Sequence, residues 1–219
     1  MVEAVTSIFR CLPAVLGLLA VPSAAFAHQL DEYLQATLVS IEPGSVRLQI
    51  NLTPGVAIAE QVLAVIDRDR DGAISANEVA AYAELLKRDL TLRLDGQNLE
   101  AKLIASQFPE PGELRTGWEI ISMEFRGKSG PLTTGSHKFE FENRHLPVIS
   151  GYLFNAAQPG SGSIQIIAQK RNQIQSAGEI DFIFHRSANT FRVFGFVAAL
   201  ALALFAGVWR TAKTSQRST

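Results

Sequence analysis

Hydrophobic and polar residues alternate along several short segments of the chain, and this period of two predicts β-strands. The clearest segment is 46–52, in which every second residue is aliphatic and the residues between are polar. A looser alternation over 30–41 precedes it, and Pro43 and Gly44 lie between the two at the central positions of a turn. The pattern therefore predicts a β-hairpin at the start of the folded region.

A second hairpin is predicted around Asp95-Gly96, because 90–94 and 99–103 alternate on either side of this turn dipeptide. Clusters of Gly, Pro and Ser separate the later strand candidates, which are 118–125, 137–141, 152–155, 164–168 and 180–184, and we expect Trp118 to lie in the core rather than on a ligand-binding surface. Short strands at this spacing are typical of two packed antiparallel sheets. The sequence thus predicts a mainly β antiparallel sandwich of the immunoglobulin-like type.

Helical spacing interrupts this β pattern once. Apolar residues recur every three or four positions before and after a polar segment, at Ile58, Val62, Leu63 and Ile66 and then at Val79, Tyr82, Ala83 and Leu86. Thr53 is a suitable N-cap, and Pro54 suits the first helical position, where its missing N–H costs little. We therefore expect a helix–loop–helix over 54–87, inserted in the sandwich.

The polar segment between these helices is 67–78, Asp-Arg-Asp-Arg-Asp-Gly-Ala-Ile-Ser-Ala-Asn-Glu. Calcium takes six to eight oxygen ligands at roughly 2.3–2.6 Å. Gly72 permits the sharp turn that wraps a chain around such an ion. The spacing predicts side-chain ligands from four acidic residues and a serine and a carbonyl ligand from an alanine: Asp67, Asp69, Asp71, Ala73, Ser75 and Glu78.

Because every position of D-x-[DN]-x-[DN]-G-x5-E is met, the segment 54–87 resembles a single EF-hand. The resemblance implies bound Ca²⁺. The alternative is that Ser75 and Glu78 form a capping box and the aspartates are solvated turn residues, but capping accounts for neither the three aspartates nor the glycine. Arg68 and Arg70 offset acidic charge, so we expect a dissociation constant of about 10⁻⁴–10⁻³ M.

The two ends of the chain predict export and membrane anchoring. Arg10, a short apolar run and a small-residue site ending at Ala27 are typical of a signal peptide over 1–27. Near the other end, an uncharged apolar run predicts one transmembrane helix over 190–210, and the basic tail 211–219 predicts a cytoplasmic C-terminus. The domain 28–189 would then face the periplasm or cell exterior of a single-pass membrane protein.

Composition excludes several classes of function. The chain has 219 residues and a net charge of −1, which gives no basic surface for a nucleic-acid partner. The single cysteine, Cys11, lies in the predicted signal peptide, so no disulfide is expected in the domain. No G-x-S-x-G, P-loop, H-E-x-x-H or C-x-x-C motif occurs, and we expect no catalytic residues and no enzyme.

An alternative function rests on His28. Cleavage after Ala27 would give it a free amine beside its imidazole, a nitrogen chelate suited to copper or nickel, with His137 or His145 as a third ligand. The Ala-His junction followed by strands and the D-x-D-x-D-G helix also resembles the extracytoplasmic N-terminal part of HupE/UreJ-like membrane proteins. That resemblance implies an accessory role in nickel or cobalt handling and a membrane permease or other protein as partner.

Overall fold

The computed structural model describes residues 31–160 and 162–186. These residues form ten strands and three helices. In chain order the elements are β1 (Tyr33–Glu42), β2 (Ser45–Pro54), α1 (Ala59–Ile66), α2 (Ala76–Asp89), β3 (Leu90–Leu94), β4 (Gln97–Asn98), β5 (Ala101–Gln107), α3 (Pro111–Leu114), β6 (Ile121–Lys128), β7 (Gly135–Asn143), β8 (Ser150–Ala156), β9 (Ile164–Arg171) and β10 (Ala177–Phe184).

The strands form two five-stranded sheets, in the orders β5-β6-β2-β1-β8 and β4-β3-β7-β10-β9. The alternating aliphatic residues of β2 all point into one hydrophobic core, to which aromatic residues of both sheets contribute, among them Phe125, Phe154, Phe139 and Phe182. The β-rich, two-sheet prediction is therefore confirmed and is consistent with a sandwich. Its immunoglobulin-like character remains a prediction.

One strand pair departs from the expected antiparallel arrangement. β8 lies parallel to β1, with Tyr33 opposite Ser150. The preceding strand, β7, belongs to the other sheet, so the chain crosses between sheets over 144–149 before β8 begins. Because β8 is not joined to β1 by a hairpin, the connection does not force the two strands to be antiparallel. Both strands start at the same end of the sheet and run in the same direction.

The predicted start of the first helix is wrong. Thr53 and Pro54 are the last residues of β2, paired with Leu34 and Tyr33 of β1, and α1 begins at Ala59 after a cap at Ile58. The local signal of Thr-Pro is overridden because the strand continues to pair with β1 to its end. Proline is tolerated there because it is at a strand terminus.

Two details of the later β pattern also differ from prediction. The turn at Asp95-Gly96 is present, with φ of 51° and 78°, but β4 has only two residues and β5 joins the other sheet. Strand β6 begins at Ile121 rather than at 118, and Trp118, which the pattern placed in the core, is 70% exposed. A loop carrying α3 precedes β6, so the alternation at 118–120 belongs to that loop.

The predicted signal peptide 1–27, transmembrane helix 190–210 and tail 211–219, and His28, lie outside the described residues. Within 31–160 and 162–186, no helix has the length and apolar character needed to cross a membrane.

Candidate metal site

The candidate metal site is the loop that joins α1 to α2. Each helix buries one apolar side, with Val62 and Ile66 on α1 and Tyr82 and Leu86 on α2. Packing of both helices on the sandwich leaves the polar residues between them at the surface. The loop turns at Gly72, where φ is +84°. Residues other than glycine adopt this backbone conformation only with strain.

The three aspartates of this loop lie together. One carboxylate oxygen of each of Asp67, Asp69 and Asp71 falls within 4.8 Å of the others. Backbone N–H groups hold them in place: Gly72 N donates to Asp67 Oδ2 at 3.1 Å, Asp71 N to Asp69 Oδ1 at 3.2 Å, and Ala73 N to Asp71 Oδ1 at 2.9 Å. This cluster of carboxylates can hold a metal ion.

The chemistry of the cluster fits a cation. Asp67 Oδ1 is buried and has no hydrogen-bond partner among the described residues. An unpaired buried carboxylate oxygen is costly, and a cation would pair it. The N–H of Asp71 lowers the pKa of Asp69, but desolvation and repulsion from Asp71, Glu78 and Asp67 outweigh it and raise that pKa. The like charges therefore repel one another until a cation neutralises them.

Ser75 and Glu78 form a capping box at the start of α2. Ser75 Oγ accepts from Glu78 N, and Glu78 Oε2 accepts from Ser75 N at 2.9 Å and from Ser75 Oγ at 2.8 Å. Glu78 Oε1 accepts from Arg68 N at 2.6 Å. The N–H and hydroxyl of Ser75, together with this N–H, lower the pKa of Glu78. The structure thus shows the capping box and does not bring Glu78 into the cluster of aspartates.

A buried chain of hydrogen bonds connects α2 to the sandwich, and sequence reasoning missed it. Asp89 Oδ2 lies 2.7 Å from His145 Nδ1, His145 Nε2 lies 3.0 Å from the Tyr82 hydroxyl, and that hydroxyl lies 2.6 Å from the Tyr33 hydroxyl. His145, Tyr82 and Tyr33 are at most 1% exposed. Because the four residues come from three separate segments, namely β1, α2 and the segment after β7, no spacing along the sequence indicates the whole chain.

The main chain of His145 is held equally firmly. Its carbonyl accepts from Gln35 Nε2 and from the Tyr152 hydroxyl, both at 2.9 Å. Its N–H donates to Asn143 Oδ1 at 2.9 Å, and Asn143 Nδ2 donates to Gln35 Oε1 at 2.8 Å. These bonds fix the segment 143–145 on β1 and β8, and through Tyr82 and Asp89 they fix α2.

Burial raises the pKa of both Tyr33 and Tyr82, so both hydroxyls stay protonated near neutral pH. Burial also lowers the pKa of His145, and the hydrogen bond and charge of Asp89 offset this only in part. A neutral imidazole with its proton on Nδ1 satisfies the whole chain: Nδ1–H donates to Asp89, Tyr82 donates to Nε2, and Tyr33 donates to Tyr82. These hydrogen bonds hold α2 against β1 and the segment 143–145.

Neither histidine proposed as a third ligand beside His28 presents an unoccupied ring nitrogen. His137 Nδ1 lies 2.7 Å from Asp95 Oδ2, and its Nε2 lies 2.7 Å from the Thr133 carbonyl oxygen. Both nitrogens of His145 are occupied within the buried chain. In this structure both side chains are engaged by the domain itself.

Comparison with protein-family models and with curated proteins finds no match to this chain.

Proposed function

We propose that the chain binds one calcium ion through the loop 67–78. The observation that carries the proposal is the cluster of three aspartates, in which the buried Asp67 Oδ1 has no hydrogen-bond partner among the described residues. Its available ligands are oxygens, which suit a hard cation, and the loop offers neither sulfur nor imidazole. Ala73, Ser75 and Glu78 would complete the shell, and Glu78 would have to turn from its capping contacts toward the ion.

The proposed role of the ion is to stabilise the helix pair on the sandwich. Tyr82 and Asp89 tie α2 to β1 and to 143–145 through buried hydrogen bonds, which disfavours a large swing of this helix on binding. Ligand binding to the folded state alone stabilises it by RT ln(1 + [L]/Kd), about 2 kcal/mol at roughly fifty times Kd. Calcium would therefore order the loop and raise stability rather than open the domain.

The proposed setting is extracytoplasmic. An exported, membrane-anchored domain would meet calcium at the concentrations that a weak site of about 10⁻⁴–10⁻³ M requires. A membrane permease or another protein in the same membrane is the proposed partner. The export and the membrane anchor are inferred from the sequence of the two ends of the chain, and the partner is inferred from the resemblance to HupE/UreJ-like membrane proteins.

Calorimetric titration of the purified chain tests the proposal. Calcium should bind with one site per chain, and magnesium should bind more weakly because the smaller ion demands a stricter octahedral geometry. Asp67→Asn removes the charge but keeps an oxygen for Gly72 N–H, and should weaken calcium binding by about tenfold or more, a loss of roughly 1.4 kcal/mol.

The matched control is Asp31→Asn, because Asp31 is an exposed aspartate remote in sequence from the loop. It should leave the calcium affinity unchanged. Equal affinity in Asp67→Asn and the unsubstituted chain would contradict the assignment of the ion to this loop.

A further inference from the structure

A groove of about 590 Å³ runs over the outer face of the sheet that contains β2 and β6. Its floor is polar: Gln107 lies opposite Ser122, Ser122 lies opposite Asn51, and Gln49 lies two residues from Asn51 on the same face of β2. Ser122 Oγ donates to Asn51 Oδ1 at 3.2 Å. Since neighbouring strands lie about 4.8 Å apart, these side chains form a row roughly 10 Å long.

The wall of the groove is the segment 108–120, and it is firmly anchored. Pro111 and Leu114 of α3 are buried, with Leu114 fully so. Arg115 also forms a solvent-exposed ion pair with Glu60 of α1, which adds a contact to the anchoring by Leu114 but little stability. Gly117 has φ of +78°, and a Cβ there would lie 2.8 Å from Val56 Cγ2, so the backbone packs closely at this point.

Trp118 follows this glycine and is one of the residues that line the groove. It is 70% exposed, although the segment that carries it is anchored on both sides. A large aromatic side chain held in water on a fixed backbone gives up the stabilisation that burial would provide. Exposed apolar surface beside polar groups in a concave site is characteristic of a ligand-binding surface.

We propose that this groove binds an uncharged saccharide. The C–H face of a pyranose ring carries slight positive charge and packs on the negative π face of an indole such as Trp118. Sugar hydroxyls both donate and accept hydrogen bonds, and each amide of Gln49, Asn51 and Gln107 offers both kinds of group. The volume lies within the range of about 300–1,000 Å³ that small-molecule sites occupy.

The charged residues that line the groove determine which ligand charge it favours. Glu110, Glu113 and Glu119 contribute carboxylates, and within 31–160 and 162–186 no lysine or arginine lines the groove. An anionic saccharide would therefore lose hydration of its carboxylates without gaining a cationic partner, which disfavours its binding. Attraction of an organic cation is weak, because these carboxylates are exposed and salt screens them. The amide floor, whose donors a cation cannot use, favours a neutral hydroxyl-rich ligand.

Tryptophan fluorescence of the full chain tests this inference. The sequence has two tryptophans, so Trp209→Phe leaves Trp118 as the single reporter. The probes are neutral trisaccharides of glucose, mannose, galactose and N-acetylglucosamine at up to about 10 mM, enough to saturate a site with a millimolar dissociation constant. We expect at least one of them to shift the emission of Trp118 saturably, and the anionic trimer of galacturonic acid to have no effect.

Binding is then measured by calorimetry in variants. Trp118→Ala should lower the affinity by about tenfold or more, and Trp118→Phe should restore part of it, since a smaller aromatic face remains. Gln49→Ala should also weaken binding. The matched control is Ile174→Ala, which removes an apolar side chain that is 63% exposed in the turn between β9 and β10 and should not change the affinity.

Three outcomes would overturn the inference. The first is that no neutral trisaccharide gives a saturable response. The second is that Trp118→Ala leaves the affinity unchanged. The third is that tetramethylammonium or arginine amide binds and saccharides do not. The last result would instead assign the groove to organic cations. None of these outcomes depends on calcium, because the titrations are repeated with EDTA.

Discussion

Among single residues, Tyr82 links the two sides of the buried hydrogen-bond chain. Its hydroxyl joins Tyr33 to His145 at 2.6 Å and 3.0 Å in a region that water does not reach. Tyr82→Phe would leave both partners unpaired, whereas Tyr33→Phe would remove only the terminal donor of the chain. Unpaired buried polar groups cost more than the loss of one hydrogen bond is worth.

We therefore predict that Tyr82→Phe lowers the free energy of unfolding by about 2–4 kcal/mol and Tyr33→Phe by about 1 kcal/mol. Urea unfolding of the two variants checks this, with Tyr33→Phe as the matched control for loss of a buried hydroxyl. Equal losses in the two variants would show that Tyr82 does not join the two sides of the chain.

Two buried histidines predict the pH dependence of stability near neutrality. The pKa of His145 is lowered below 6.5, so the unfolded chain takes up a proton there that the folded chain does not, and stability falls as pH drops below about 6.5. Burial lowers the pKa of His137, but Asp95 and the Thr133 carbonyl outweigh it and raise the pKa above 6.5. The stability that His137 contributes is therefore lost as pH rises above about 6.5.

The two contributions together should give maximal stability near pH 6.5. Urea unfolding from pH 5 to 8 measures this, and His137→Gln should abolish the decline on the alkaline side while leaving the acid side in place. A decline above pH 6.5 that persists in His137→Gln would contradict the role given to His137.

At the scale of elements, the start of α2 has two roles that can be separated. Ser75 caps the helix in the structure, and it is also the ninth position of the proposed calcium loop. Ser75→Ala should lower stability by about 1 kcal/mol even in EDTA, because N-capping does not need the ion. Ser75→Asp, which keeps an N-cap oxygen, should recover most of this loss.

Urea unfolding in EDTA and in calcium measures both effects for the two variants. If Ser75→Ala were harmless in EDTA and destabilising only in calcium, the capping box would have no independent role.

Sequence patterns predicted the elements better than their boundaries. The alternation in β2 and the apolar spacing in α1 and α2 predicted these elements correctly. Each element buries one face, and this produces the period of two in the strand and the helical spacing in the helices. The start at Pro54 was wrong because pairing with β1 extends β2 beyond the local capping signal. The parallel pairing of β8 with β1 has no local signal, since it depends on a crossing between sheets.

In the whole molecule, local sequence determines the positions of some residues of the candidate site, and the tertiary fold determines the positions of the others. The three aspartates were predictable because their spacing within a few residues brings them together. The buried chain from Asp89 to Tyr33 was not, because it is assembled from α2, β1 and the segment after β7. Trp118 was predicted to be buried, since hydrophobicity alone does not distinguish a core residue from a binding surface.

Thermal unfolding of the purified chain shows whether the loop 67–78 binds calcium. The midpoint is measured in calcium, magnesium, nickel, copper and EDTA, and the series is repeated for Asp67→Asn. At about fifty times Kd, calcium should raise the midpoint by roughly 4–8 °C for a domain of this size, and the rise should be lost in Asp67→Asn. A midpoint that calcium leaves unchanged, with a rise in nickel or copper instead, would contradict the claim and assign the metal chemistry to His28.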